Sequence, residues 1–302
     1  MGASHITELR RRTVVALSGP EARAFLQRIL TSDIDTVSQD RAAYAALLTP
    51  QGKILFDMFV AQAGDRFLVD CAASQKDELV KRLTFYKLRA KVDIEDMGSD
   101  HAVAALWGDD AQPGAGAAAG EHGLCAFADP RTPEAGLRVV APRAALDRLA
   151  DLFGAEQADE LSYDRHRIAL GLGDSDADIG SGRTFPHEAN LDQFGGVDFT
   201  KGCYVGQEVV SRMQHRGTAR KRILPVRFDG APPAEGAEIA ADGKSLGTML
   251  SGVEGMGLAL LRLDRMEVAF ADGAALSADG KALVPVRPGW ARFPVPGTGV
   301  DA

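Results

Sequence analysis

Three cysteines in 302 residues, Cys71, Cys125 and Cys203, are too few and too widely spaced for a disulfide framework or a cysteine-based zinc site. An odd number also cannot all pair within the chain. No apolar run approaches the ~20 residues that cross a bilayer, and Met1 to Arg12 shows no signal-peptide pattern. On that ground no membrane partner is expected, and three free thiols lead to an expectation of cytoplasmic residence. Nucleophile-elbow, Walker and dinucleotide fingerprints are missing as well: Gly171-Leu172-Gly173 has no third glycine and no strand-to-helix setting. The six histidines are scattered, and His187 has no second ligand at zinc-like spacing, so no metal site is expected. Positive charge is not in excess either. A net charge of -8 argues against wholesale nucleic-acid binding, although Arg212, Arg216, Arg220, Lys221 and Arg222 keep direct RNA contact as a minor expectation.

What is present is an ordinary globular composition, 45% hydrophobic and 25% charged, in a chain long enough for two or three domains. Ser18-Gly19-Pro20-Glu21 reads as a helix start, with Phe25, Leu26, Ile29 and Leu30 at helical spacing, predicting a helix from about 20 to 31. Strand-like runs at Ala42 to Thr49, Lys53 to Ala61 and Arg66 to Cys71 are separated by Pro50-Gln51-Gly52 and Gly64-Asp65, connections short enough to force antiparallel neighbours. A helix over Ser74 to Lys87 and a strand over Lys91 to Glu95 follow, which makes the chain α+β. Asp109 to Gly123, rich in Ala and Gly, reads as a surface loop or connection. Then come a strand near Leu137 to Val140, helices over Arg143 to Phe153 and Ser162 to Leu170, and an irregular stretch from Gly171 to Gly196 of the kind that often carries function. After Arg222, short alternating runs at Ile223 to Phe228, Ser245 to Leu250 and Gly257 to Leu263 predict a small β-barrel or sandwich.

The densest chemistry lies in Lys201-Gly202-Cys203-Tyr204-Val205-Gly206-Gln207-Glu208. Val209, Val210 and Met213 then repeat at helical spacing, so Cys203 is expected at or just before a helix N-terminus. A free thiol has a pKa near ~8.5, and a helix terminus plus a nearby cation lowers it. Lys201 is the expected cation, and Gly202 and Gly206 are expected to free the backbone or admit a ligand. An inert thiol in a tight turn is the plainer reading of the same residues.

The run resembles the signature of the YgfZ family of folate-binding proteins, which includes mitochondrial iron–sulfur assembly factors of the same fold and is related to the glycine-cleavage T-protein, an aminomethyltransferase. The resemblance implies a T-protein-like, folate-binding α+β body over 1-222, with subdomains of about 1-108 and 124-222 or interleaved, and a C-terminal β-barrel over 223-302. It implies a tetrahydrofolate ligand and iron–sulfur client or assembly proteins as partners, with clusters of tRNA-modifying enzymes among those served. Within Phe185-Pro186-His187-Glu188-Ala189-Asn190-Leu191 it makes Glu188 the pterin-reading residue, because a carboxylate can accept both adjacent donors of that ring. Asn190, Asp57, Tyr204, Gly202 and Gln207 complete the expected folate contacts, while Cys203 and Lys201 carry the reactive chemistry. Burial in the core is the commoner fate of such an aromatic, so Tyr204 also reads as a core residue. The competing expectation is folate-dependent aminomethyl or one-carbon transfer. Gly52-Lys53-Ile54-Leu55-Phe56-Asp57-Met58 resembles a T-protein segment with two consecutive aspartates, of which only Asp57 is kept, and whether Phe56 or Asp57 occupies the working position is left open.

Overall fold

A computed structural model describes residues 3–108, 123–217 and 219–298. All but the last residue of the Ala- and Gly-rich segment Asp109 to Gly123 lies outside the described residues. The strands are His5–Glu8 (β1), Arg12–Ser18 (β2), Ala43–Leu48 (β3), Ile54–Ala63 (β4), Arg66–Ala72 (β5), Asp93–Asp96 (β6), His101–Trp107 (β7), Cys125–Ala128 (β8), Leu137–Pro142 (β9) and Glu156–Gln157 (β10). They form two five-stranded sheets, β3-β4-β5-β2-β6 and β10-β1-β7-β9-β8. The chain thus starts in one sheet, builds the other, and returns.

Alternation along β4 explains how the layers stack. Phe56, Met58 and Val60 point toward the helices Ala22–Ile29 (α1) and Lys76–Lys87 (α2), packing with Phe25, Leu26, Leu79 and Leu83. Phe59 and Ala61 point the other way, into a core shared with Val103, Ala105, Trp107 and Val140 of the second sheet. A strand's side chains alternate between faces, so Asp57 lies on the inter-sheet side with Phe59. Phe56 therefore does not stand in for an acid between the sheets, and Asp57 is the residue that faces that space. The far side of the second sheet is covered by the short helix Leu149–Phe153 (α3) through Ile6, Leu106, Leu137 and Val139.

Two details differ from expectation. Ser18 does not cap α1: it pairs with Asp93 in the β2–β6 ladder, and Glu21 takes the N-cap position with its carboxylate accepting from Lys91 N at 2.7 Å. The predicted helix over Arg143 to Phe153 splits into a 3₁₀ turn at Arg143–Arg148 followed by α3.

Helices Glu160–Ala169 (α4) and Gln207–Arg216 (α5) lead to the strands Lys221–Arg227 (β11), Glu238–Ala241 (β12), Lys244–Val253 (β13), Met256–Arg262 (β14), Leu276–Ala278 (β15) and Lys281–Pro285 (β16), with Leu263–Ala271 (α6) inserted. These six strands close into a barrel. The barrel is fixed to the body near Gly171: Trp290 Nε1 donates to Leu170 O at 2.7 Å, and its ring meets Phe194 edge-on at 4.6 Å. Among the described residues, no helix is long and apolar enough to cross a membrane.

Between the two sheets runs a chain of alternating charges. Asp70 accepts from Arg12 Nε at 2.6 Å and from Arg138 Nη1 at 2.5 Å. Arg138 Nε also reaches Asp129 at 3.2 Å, and Asp129 takes Arg131 in a two-point contact at 3.0 and 2.7 Å. All five side chains are buried. Burial works to raise the Asp129 carboxyl, but the charges and hydrogen bonds of Arg131 and Arg138 outweigh it and hold it well below the usual range. Removing one member of such a network leaves buried charge unpaired, at a cost of about 3–5 kcal/mol. Asp70→Ala is expected to lose stability on that scale in urea denaturation; a loss below about 1 kcal/mol would show that the network does not hold the sheets together.

Candidate functional site

The cysteine loop is tied down before it reaches Cys203. Thr31 Oγ1 donates to Gly196 O at 2.6 Å, and Asp198 N donates to Thr31 O at 2.9 Å. Asp198 then caps the turn, its Oδ1 accepting from Thr200 N at 2.6 Å, Thr200 Oγ1 at 2.7 Å and Lys201 N at 3.0 Å. Burial works to raise this carboxyl, but the bonds from Thr200 and Lys201 prevail and keep it below its usual range. The sequence reading passed over Asp198, although Asp-Phe-Thr is an Asx-turn signal.

Lys201 does not serve the thiol as expected. Its Nζ donates to Ser32 O at 2.6 Å, Leu30 O at 2.9 Å and Gln27 Oε1 at 3.1 Å, which accounts for all three ammonium hydrogens. Leu30 is the C-cap of α1, so the lysine satisfies a carbonyl that the helix end leaves open and sits where the helix dipole favours a cation. Burial pushes its pKa down to about 8, against the pull of Asp33, Asp198 and Asp35. Lys201 is an anchor for the loop.

Cys203 is exposed, whereas Cys71 is buried and Cys125 half-buried. Helix α5 begins only at Gln207, with Gly206 as N-cap. Cys203 thus precedes the cap by three residues and misses the open N–H groups of the first turn. The two glycines divide the labour differently from expectation. A Cβ on Gly202 would meet nothing within 4 Å, while one on Gly206, at φ +81, would come within 2.5 Å of Thr49 O and 3.0 Å of Gly52 Cα. Gly206 is therefore required by the approach of the β3–β4 turn, and Gly202 is not required by any contact. Tyr204 is buried in the core that also takes in Tyr44 and Val210, its hydroxyl without a partner among the described residues and its pKa pushed up to about 12 by burial and by Asp198.

Several of the expected folate residues are engaged within the protein itself. Glu188 spends Oε2 on Phe185 N at 3.0 Å, and its carbonyl accepts from Ile223 N at 2.8 Å. Asn190, buried at φ +61, donates Nδ2 to Ile223 O at 2.7 Å. Both residues fasten the irregular segment to β11. Gln207 is the first residue of α5. Asp57 lies apart, accepting from Tyr44 Oη at 3.0 Å, with a carboxyl pKa raised by burial against the pull of Arg12 and of bonds from Ser175 and Tyr44. It lines a cavity of about 20 Å³ with Arg12, Phe59, Arg131 and Arg138. That space holds about one water, whereas small-molecule pockets run to roughly 300–1,000 Å³. The alternating arginines and aspartates fill much of the space that Asp57 faces. A larger groove of about 590 Å³ opens beside Asp33, Tyr44, Phe194, Asp198 and Thr200, and neither Asp57 nor Glu188 lines it.

The basic cluster is also dispersed. Arg222 is buried, paired with Asp192 at 2.5 and 3.0 Å, and Arg212 is paired with Glu208 at 2.5 Å. Arg212, Arg220 and Lys221 are the exposed cations of that run among the described residues, and Arg212 lies beside Glu208. Among the described residues, no group of three or more His, Cys, Asp or Glu side chains is placed to hold a metal ion.

Comparison with known proteins places this geometry. Residues 3–118 match the GCVT N-terminal domain, and residues 220–293 match the family described as CAF17, C-terminal beta-barrel domain. The chain is 34% identical to the mitochondrial iron–sulfur cluster assembly factor IBA57 homolog of Pyricularia oryzae, over 86% of this chain and 72% of the relative. It is 32% identical to the Homo sapiens mitochondrial factor IBA57, over 85% and 77%, and 30% identical to the Mycosarcoma maydis homolog, over 94% and 83%. Each of these relatives is named as mitochondrial, which overturns the expectation of cytoplasmic residence. An aminomethyltransferase T of the glycine cleavage system from Bartonella henselae superposes with a TM-score of 0.75 at 18% identity, over 95% of this chain and 85% of that one. The T-protein-like fold with a closed C-terminal barrel is thereby shown.

Two outcomes follow from the geometry. A disulfide-exchange reagent is expected to modify Cys203 rapidly in the folded protein, and Cys71 and Cys125, whose thiols burial pushes up to about 12 and about 11, only after denaturation; Cys203→Ala should abolish the fast phase. Calorimetric titration with tetrahydrofolate is expected to show no saturable heat, and a one-to-one isotherm lost in Asp57→Ala would refute the reading of a filled cavity.

Proposed function

The chain belongs to the family of the iron–sulfur cluster assembly factors IBA57, and from that premise we propose that it supports assembly or repair of iron–sulfur clusters in other proteins, with Cys203 as the residue that meets cluster or partner. The observation that carries this reading is the exposure of that one thiol on a loop fastened on both sides. Asp198 and Lys201 hold it to the end of α1, and Gly206 holds it against the β3–β4 turn.

A cluster normally takes four protein ligands. A single exposed cysteine supplies one, so the cluster is cargo shared with another protein whose own groups complete the set. The thiolate is the ligating form, and nothing around Cys203 requires it to be a strong nucleophile for that role. Rigid presentation matters more, because a bridging ligand must be held where the partner's ligands can reach the same iron. Lys201 acts as a positioning residue. The role proposed for Cys203 does not depend on bound tetrahydrofolate. The proteins served include cluster-dependent tRNA-modifying enzymes, and direct RNA contact is not needed to reach them.

One observation speaks for aminomethyl transfer as a second reading: Asp57 faces the inter-sheet space beside Tyr44. The cavity that Asp57 lines is about 20 Å³, much smaller than the roughly 300–1,000 Å³ of small-molecule pockets.

Both readings meet in one experiment. In cells lacking this protein, the activity of a cluster-dependent tRNA-modifying enzyme is measured after supplying wild type or Cys203→Ala at equal expression. Wild type is expected to restore the activity and the variant to leave it near the deletion level. Equal restoration by both would remove the thiol from the function, and failure of both would move transfer chemistry to the front.

A further inference from the structure

The end of α2 breaks two rules of a folded surface at once. Phe85 and Leu88 are 68% and 84% exposed, and Leu88 is held at φ 49, ψ -108, a backbone region that residues with a Cβ avoid. Leu79 and Leu83 bury the opposite stripe of the helix, so Phe85 and the residue three positions on project outward. Along the chain, the stretch between Glu78 and Asp93 carries charge of one sign, with the Glu21 carboxylate accepting from Lys91 N at its far end. From Leu79 to Val92 there are five cations, Lys81, Arg82, Lys87, Arg89 and Lys91, and no acid, in a chain whose net charge is -8. Arg82 reaches Glu78 at 3.5 Å; the other four make no ion pair among the described residues.

We infer that this knob is a contact for an anionic phospholipid surface, with Phe85 and Leu88 entering the interface and the surrounding cations lying at the level of the phosphates. A convex apolar tip ringed by cations matches a soft interface, where lysine and arginine stems pack on apolar groups while their heads stay with the phosphates. A protein partner is the less fitting occupant: lysine is depleted at protein–protein interfaces, and three of the five cations here are lysines. Spanning the bilayer is not required, so the lack of a long apolar helix does not bear on the contact. The inference is independent of Cys203 and of the cluster reading.

Each cation near an anionic leaflet contributes about five-fold in affinity, and the contribution is screened by salt. The full chain is to be sedimented with vesicles of phosphatidylglycerol and phosphatidylcholine in equal parts, and separately with phosphatidylcholine alone. Wild type is expected to pellet with the mixed vesicles, to stay in solution with the neutral ones, and to be released by high salt. Leu88→Asp should weaken the association at least about five-fold, and Lys87→Glu combined with Arg89→Glu about twenty-five-fold or more. Both sites are on the surface, and an unchanged urea midpoint in each variant confirms that the fold is intact. Absence of wild-type pelleting with the anionic vesicles overturns the proposal, as does pelleting that the two variants leave unchanged. A change of oligomeric state in Leu88→Asp without vesicle binding by wild type overturns it in favour of a protein contact.

Discussion

Arginines and aspartates buried in alternation around the ring of Phe59 set the distance between the two sheets. Arg138, Arg131 and Arg12 lie 3.7, 4.9 and 5.5 Å from the ring centroid. Each guanidinium is also tied to a carboxylate, so the ring is packed by cations that are themselves held in place. Apolar residues on the same faces would tolerate a shifted register; these charges are satisfied in one arrangement only, and any slip leaves one of them bare in a medium that penalises it. The same groups narrow the space beside Asp57 to a cavity of about 20 Å³. Fold likeness to an aminomethyltransferase does not by itself establish the same ligand or chemistry.

Availability distinguishes Cys203, the exposed one of the three thiols. The nearest motif cation is committed to the end of α1, and the helix that follows starts too late to act on the sulfur. What the loop receives from the rest of the molecule is position: carbonyls of α1 on one side, a hairpin turn on the other, and a buried tyrosine between them. A ligand offered to a second protein needs that fixed geometry.

The sequence revealed the parts of the fold that have strong local punctuation. The hairpins around Pro50-Gln51-Gly52 and Gly64-Asp65, helix α2 and the run of barrel strands each carry turn residues or periodicity. Strands β2 and β7 carry neither, since Val14, Val15, Ala16 and Leu17, and likewise Ala102 to Leu106, are buried on both faces and read as continuous apolar stretches without a period. Ser18 misled for a related reason: as the last residue of an unnoticed strand it looked like a helix cap. In the site, the Lys-Gly-Cys motif was legible, but the destination of Lys201 was not, because Gln27, Leu30 and Ser32 lie about 170 residues earlier in the chain. Nor did spacing tell that Glu188 and Asn190 would be taken up by the backbone of Ile223. Pairings of that kind are set by tertiary packing and leave no local trace.

The contact between Gly52 and Gly206 joins two segments that lie far apart in the chain into a single mechanical unit. A side chain at Gly206 would strike the hairpin backbone, and one at Gly52 would come within 2.9 Å of Val209. Neither turn can change its shape unless the other yields. The cysteine loop is consequently not a portable cassette: transplanted into another protein without the turn at 49–52, it would lose the surface that fixes where its helix begins, and with that the direction in which its thiol is presented.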